Sequence, residues 1–237
     1  MAVILSLETA TSVCSAALHD NGKLLAASEH HVPQSTASML AVLIDEIFKK
    51  TSIKSSQLNA VAVSAGPGSY TGLRIGVATA KGFCYALNIP LIAINTLELM
   101  AYQVAANTPS PLERGRGEAG AALLCPMLDA RRMEVYTLLA GPDLKVIEST
   151  EAKVIDELSY QSWLEKNKIL FFGNGSDKCK EMIRHENAVF IPGVIPSAAK
   201  LGEMAFQKFN SNQFEDLAAY EPYYLKDFMV KKPKSAV

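Results

Sequence analysis

Residues 6–25, SLETATSVCSAALHDNGKLL, lie without a gap over residues 127–146, MLDARRMEVYTLLAGPDLKV. Each stretch opens on the end of an apolar strand closed by an acid, Glu8 in one and Asp129 in the other. A second apolar run follows, Cys14–His19 and Glu134–Ala140, and then a tight turn, Asp20-Asn21-Gly22 and Gly141-Pro142-Asp143. Asn-Gly between apolar runs is a strong hairpin signal, because such turns need positive φ. Returning strands are expected at Lys23–His31 and Leu144–Glu148. The parallel continues downstream. In the first half Ser35–Lys50 reads as a helix with Ser35 as N-cap, and Ala60–Ser64 as a buried strand running into Gly66-Pro67-Gly68-Ser69. A helix at Thr71–Leu87, a strand at Leu91–Asn95 and a helix from Thr96 complete it. In the second half Glu151–Lys166 reads as helix, and Ile169–Phe172 as a strand leading into Gly173-Asn174-Gly175-Ser176 and a further helix. Val189–Ile191 then reads as strand and Ser197–Phe209 as helix. Each half is β-β-β-α-β-α-β-α. Sequential strands give an antiparallel meander, and helical crossovers force later strands parallel. The expected fold is therefore α/β, two duplicated lobes, each a mixed five-stranded sheet with flanking helices. The lobes are expected at 1–104 and 121–237. The Pro- and Gly-rich stretch Ala105–Gly120 joins them, and the final stretch from about Tyr220 ends in Lys231-Lys232-Pro233-Lys234, a frayed basic tail.

The 237 residues suit one large domain or two small ones, and a hydrophobic content of 49% supplies a sizeable core. A net charge of −1 leaves no basic surplus for strong nucleic-acid binding by the chain alone. Cys14, Cys84, Cys125 and Cys179 are scattered with no CxxC, so zinc ribbons and thioredoxin-type redox sites are excluded and a reducing compartment is expected. No apolar run approaches the ~20 residues of a membrane span. The expected location is the cytoplasm.

The chemistry-bearing candidates sit at the strand ends. The stretch Ser64–Gly82, SAGPGSYTGLRIGVATAKG, is a glycine turn between strand and helix, which can aim N–H groups at an anion. It is neither a Walker A loop nor a GxGxxG fingerprint. Tight turning and close helix packing is the alternative. Glu8 and Asp129 could hold Mg²⁺ or act as acid and base, or could be ordinary strand-end polar groups. Arg131, Arg132 and Glu134 could pair locally, or the arginines could clamp an anion. No HxxxH, HExxH or GxSxG occurs, so helix-borne metal sites and serine hydrolase elbows are absent.

The helices carry a different signal. Gly72, Gly76 and Ala80 lie four apart on one face, and small residues at that spacing let helices approach closely. Leu73 and Val77 flank them. Helix 35–50 is apolar nearly all round, with Met39, Leu40, Leu43 and Ile47 among its residues. A subunit interface through these two helices is expected, with simple core packing as the alternative. On the interface reading, Gly76→Leu blocks pairing and leaves a folded monomer.

The duplicated unit resembles the actin/Hsp70/sugar-kinase (ASKHA) superfamily, with ribonuclease H-like lobes. Ile4-Leu-Ser-Leu-Glu-Thr-Ala-Thr, Ala65-Gly-Pro-Gly-Ser-Tyr-Thr-Gly-Leu-Arg-Ile-Gly, Ala80-Lys-Gly, Leu128-Asp-Ala-Arg-Arg and Glu221-Pro-x-Tyr-Leu together resemble the TsaB (YeaZ) family over essentially the whole chain. That resemblance implies a non-catalytic scaffold in the synthesis of N6-threonylcarbamoyladenosine in tRNA. It implies a TsaD-like catalytic subunit and a TsaE-like ATPase as partners, a homodimer when alone, and tRNA met through the complex. ATP, Mg²⁺ and metal would belong to the partners, with no cofactor or catalytic residue on this chain. The implied interface is Met39, Leu40, Leu43, Ile47, Gly72, Leu73, Gly76, Val77 and Ala80. The implied remnant of a nucleotide cleft is Glu8, Thr9, Gly66, Gly68, Ser69, Asp129, Gly173 and Gly175. The sequence departs from catalytic relatives at two points. The helix Thr96-Leu-Glu-Leu-Met-Ala-Tyr-Gln-Val lacks metal-binding histidines, and neither first-hairpin turn contains glycine. An independent ASKHA-type ATPase or small-molecule kinase and a glycoprotease-like peptidase are the alternatives.

Overall fold

The computed structural model describes residues 2–31, 36–107 and 122–226. The first half contains β1 (Val3–Glu8), β2 (Cys14–Asp20), β3 (Lys23–His30), α1 (Thr36–Thr51), β4 (Ala60–Gly66), α2 (Tyr70–Leu87), β5 (Leu91–Asn95) and α3 (Thr96–Asn107). The second contains β6 (Leu123–Asp129), β7 (Glu134–Ala140), β8 (Val146–Val154), α4 (Gln161–Leu164), β9 (Ile169–Phe172), β10 (Ala188–Ile191) and α5 (Ala198–Asn210). The sheets run β3-β2-β1-β4-β5 and β8-β7-β6-β9-β10, the same order twice. In each, the first hairpin is antiparallel and the later strands join in parallel. The α/β reading with two mixed five-stranded sheets therefore holds. Ser35 and residues 108–120 of the expected linker lie outside the described residues, while 105–107 close α3.

Two expected helices are corrected. Glu151–Lys166 is not a helix. Strand β8 extends to Val154 and pairs along the whole of β7, from Ala140↔Val146 to Glu134↔Val154. Ladder bonds to a neighbouring strand outweigh the weak helix propensity of this stretch. Asp156 then closes a turn by accepting from Leu158 N and Ser159 Oγ, leaving a single helical turn in α4. After Gly173–Ser176 only the short 3₁₀ turn Asp177–Cys179 forms.

Each sheet has one face under its own lobe. In the first lobe α1 and α2 cover Leu5, Leu7, Val61 and Val63 with Leu40, Leu43, Ile47, Val77 and Ala80. The opposite faces are covered by exchange. Helix α5, from the end of the chain, lays Leu201 and Ala205 on Ile4, Ala62 and Ile94. Helix α3 lays Leu97, Met100 and Val104 on Leu124, Leu128 and Phe172 of the second sheet. The last helix of each half thus packs against the other half's sheet. His19 reports how tight this seam is. Its Nε2–H donates to Ala199 O at 2.8 Å, and a Cβ on Gly202 would stand 2.1 Å from its Nδ1. No helix among the described residues is long and apolar enough to cross a membrane.

Candidate functional site

The candidate cleft residues gather where β1, β4, β6 and β9 end. In the first lobe the cradle is filled by the chain itself. Glu8 is fully buried, accepts from Ala10 N at 2.6 Å, and takes a hydrogen bond from Ser64 Oγ. Burial pushes its carboxyl up to about 7, against the opposing pull of Ser64 and the Ala10 amide. Ser69 N donates to Ala10 O at 2.7 Å, so the Gly66–Ser69 loop lies on the turn after β1. A Cβ on Gly68 would stand 2.4 Å from Ala10 O, and one on Gly72 2.0 Å from Thr9 O. Gly66, at φ 105°, turns under the carbonyl of Tyr223. Ser69 caps α2, its side chain accepting from Gly72 N.

The second lobe repeats the scheme with an open acid. Gly173, at φ 102°, and Gly175 pack on the backbone of Met127 and Leu128. Asp129 is exposed and forms an ion pair with Lys178. Glu8 and Asp129 are therefore not a matched pair of cleft carboxylates, since one is sealed inside and the other is neutralised. The local pairing of Arg131 or Arg132 with Glu134 is also corrected, because Glu134 pairs with Lys226 instead. Between the lobes a cavity of about 300 Å³ is walled by Val13, Gln103, Val194, Ile195 and Pro196, with the Glu29–His31 pair at 2.9 Å among its lining. Among the described residues no lysine or arginine lines it. Among the described residues no three His, Cys, Asp or Glu side chains gather as metal ligands, and all four cysteines are free and buried.

The stretch from Tyr220 to Lys226 is docked on the fold. Tyr223 N donates to Ala65 O at 2.7 Å, and Lys81 Nζ donates to the carbonyls of Ala218 and Tyr220 at 3.2 and 3.0 Å. Tyr224 packs on Tyr70 with ring centroids 4.9 Å apart, and Lys226 reaches Glu134 in the second lobe. Residues 215–226 form a strap across both lobes, and Lys231-Lys232-Pro233-Lys234 lies outside the described residues. Lys81 and Lys178 escaped the sequence reading. Lys81 sits in the Ala80-Lys-Gly stretch, but its acceptors are more than a hundred residues away. Removing the ammonium by Lys81→Met is expected to free two carbonyls and speed hydrogen exchange at Tyr223 N. The fold should survive with a loss of about 1–2 kcal/mol in denaturant melts.

The interface residues expected from sequence point the wrong way. Leu40, Leu43, Ile47, Leu73, Val77 and Ala80 are buried in the lobe's own core, Gly72 and Gly76 are buried against Thr9, and Met39 is half-buried. Small residues on α2 face the turn after β1, not another subunit. The outward stripe of α2 is Thr71, Ile75, Ala78, Gly82 and Tyr85, spaced alternately four and three apart. Tyr85 is 85% exposed, and a Cβ on Gly82 would meet nothing within 4 Å. On α1 Val42 is 45% exposed, and Phe48 and Phe83 join the two helices at 6.5 Å between ring centroids.

A family model described as TsaD, tRNA N6-adenosine threonylcarbamoyltransferase, matches residues 26–233. The tRNA threonylcarbamoyladenosine biosynthesis protein TsaB of Escherichia coli K12 is 27% identical over 230 residues, covering 94% of this chain and 94% of that protein. YeaZ from Pseudomonas aeruginosa has a TM-score of 0.78 at 23% identity, over 95% of this chain and 100% of that one. The activator of 2-hydroxyisocaproyl-CoA dehydratase from Clostridium difficile, solved with bound ADPNP, has a TM-score of 0.51 at 10% identity, over 89% and 97% of the two chains. These structural likenesses speak to fold, and they carry the actin-like two-lobed architecture. The chain belongs to the tRNA N6-adenosine threonylcarbamoyltransferase (TsaD) family, in its TsaB (YeaZ) branch.

Proposed function

We propose that this chain is a TsaB-type scaffold subunit in the synthesis of N6-threonylcarbamoyladenosine in tRNA, and that it works by pairing rather than by chemistry. The observation that carries the pairing is the outer stripe of α2. An exposed glycine in a helix interior costs about 1 kcal/mol relative to alanine, and no neighbour among the described residues requires Gly82. Three residues further on stands the exposed Tyr85. Small residues next to an exposed aromatic suit close approach by the helices of a second, similar lobe. A TsaD-like subunit, or a second copy of this chain when alone, is the proposed occupant, with a TsaE-like ATPase joining the assembly.

The cleft supports a non-catalytic role. A nucleotide with Mg²⁺, which the fold family implies, does not fit these residues. The first-lobe carboxyl is spent on Ala10 and Ser64, the second on Lys178. The glycine turns are packed against backbone. The chain is proposed to bind no cofactor of its own and to reside in the cytoplasm.

Size-exclusion chromatography with light scattering tests the pairing. The wild-type chain should run as a dimer that exchanges into a mixed complex with the TsaD relative of the same organism. Gly82→Leu should fold, because its side chain enters open space, yet run as a monomer and weaken the mixed complex at least tenfold. Unchanged pairing by Gly82→Leu, or a wild-type monomer indifferent to the relative, would sink the reading.

A further inference from the structure

The turn between β6 and β7 presents two side chains that the fold does not ask for. Arg131 and Arg132 both adopt positive φ, at 72° and 50°. L-residues other than Asn and Asp rarely settle there. The duplicated first-lobe turn is an internal control. Its corresponding residues, Ala10 and Thr11, carry no charge and do not take positive φ. A disfavoured backbone persists only where its surroundings hold it. Lys178 holds this one. Its ammonium donates to the carbonyls of Arg132 and Glu134, both at 2.7 Å, and pairs with Asp129. Asp129 Oδ1 in turn accepts from Arg131 N at 3.1 Å.

The nearby acids are already engaged. Asp129 pairs with Lys178, Glu134 with Lys226, and Asp177 with Lys180. Arg131 and Arg132 are exposed and have no carboxylate partner among the described residues. The strap reaches this turn through Lys226, which pairs with Glu134, and it carries an aromatic platform further back. Lys226 lies 6.0 Å from the Tyr136 ring centroid, and two residues earlier Tyr224 packs on Tyr70. Arg74 also lies over the Tyr70 ring, 5.4 Å from its centroid, and donates to its hydroxyl at 3.0 Å. Tyr223 and Tyr224 remain 44% and 37% exposed, on a backbone pinned at Ala65 and Lys81. The strap also carries Glu221, so the cationic end of this face is the arginine turn.

Guanidinium groups match phosphate oxygens in a fixed fork, and pinned phenol faces stack bases of any kind. We propose that this face binds a single-stranded segment of RNA, with phosphates on Arg131 and Arg132 and bases on Tyr223 and Tyr224. The inference rests on the tRNA-modification role proposed above, and it makes the contact with tRNA direct. With a net charge of −1 over the chain, the attraction is local and steeply salt-dependent.

The test is fluorescence anisotropy with two labelled probes, an oligouridylate of about 12 nucleotides and an unmodified tRNA transcript. Both are titrated with the full chain, alone and in complex with its TsaD relative, across a salt series. Wild type should bind both probes at low salt. Arg131→Ala/Arg132→Ala should weaken binding about tenfold or more and flatten the salt slope by about 1.4. Tyr224→Ala should weaken the oligouridylate. Arg131→Gly/Arg132→Gly relaxes the turn, so it should fold at least as well and bind as poorly as the alanine pair. Unchanged binding by either arginine pair overturns the proposal. So does complete displacement of RNA by millimolar inorganic phosphate, which would mark a small-anion site, or loss of the TsaD relative with RNA binding intact, which would mark a protein contact. Failure of wild type to bind either probe overturns it too. Pairing read by light scattering is independent: a dimer that binds no RNA defeats this inference alone, and an RNA-binding monomer defeats the scaffold reading alone.

Discussion

Gly76→Leu is expected to yield no folded protein, while Gly82→Leu, six residues further along the same helix, folds. A Cβ at position 76 would stand 2.3 Å from Thr9 Oγ1, inside the turn that follows β1. Overpacking a core costs on the order of 1–3 kcal/mol for modest insertions. Leucine adds four carbons where the first does not fit, against a total stability of about 5–15 kcal/mol. The expectation from sequence, a folded monomer that cannot pair, is therefore replaced by loss of the monomer. A milder cycle gives a number. Gly76→Ala should cost about 2–3 kcal/mol despite alanine's better helix propensity. Thr9→Ala should be close to neutral, because Thr9 Oγ1 is buried without a hydrogen-bond partner among the described residues. Combining them removes the clashing atom, since the next Thr9 atoms lie at 3.4 Å. Urea melts should show the double variant recovering more than 1 kcal/mol of the Gly76→Ala loss. Additive losses would mean that the helix and the turn do not meet there.

Glu8→Gln is expected to stabilise the protein at pH 8 by about 3 kcal/mol and to leave it nearly unchanged near pH 4.5. Burial raises the folded carboxyl to about 7, while the unfolded chain titrates near 4.5. Between those values the folded state holds a proton that the unfolded state has released. The Glu8 contribution is therefore full below about 4.5 and falls as pH rises through 7, where a buried charge must be kept. Glutamine keeps the acceptor for Ala10 N and turns an amide donor toward Ser64, as the protonated acid does. His19 acts in the opposite sense. Burial lowers its pKa, and its Nε2–H is committed to Ala199. The unfolded state takes up a proton below about 6.5 that the folded seam resists, so stability is lost as pH falls. Denaturant melts from pH 4.5 to 8 should show the wild-type slope reversing in Glu8→Gln, leaving stability that rises with pH. Parallel curves for the two proteins would show that Glu8 does not titrate in the fold.

The duplicated grammar of the chain was open to reading because it depends on local rules. Strand β7 and strand β9 fall where alternation and apolar runs place them, at Glu134–Ala140 and Ile169–Phe172. The Asp20-Asn21-Gly22 turn joins β2 to β3 because Asn21 and Gly22 tolerate positive φ. Residues 151–166 misled for the same reason. The stretch mixes charged and apolar residues as an exposed helix would, and only the presence of β7 alongside decides for a strand as far as Val154.

What the sequence determined by itself was the order of the strands, the glycine turns after β4 and β9 and the family resemblance. All of these rest on interactions spanning a few residues or on motifs intact in one stretch. The tertiary structure alone decided which way each face points. Gly72, Gly76 and Ala80 share one face of α2 by helical geometry, but whether that face meets Thr9 or another subunit depends on where β1 ends. The same holds for the exchange of α3 and α5 between lobes, for Lys178 beneath the arginine turn, and for the strap from Glu215 to Lys226. Each joins groups dozens to more than a hundred residues apart. Hydrophobic burial is non-directional, so a pattern of apolar residues tells that a face is covered and leaves the covering partner to the packed fold.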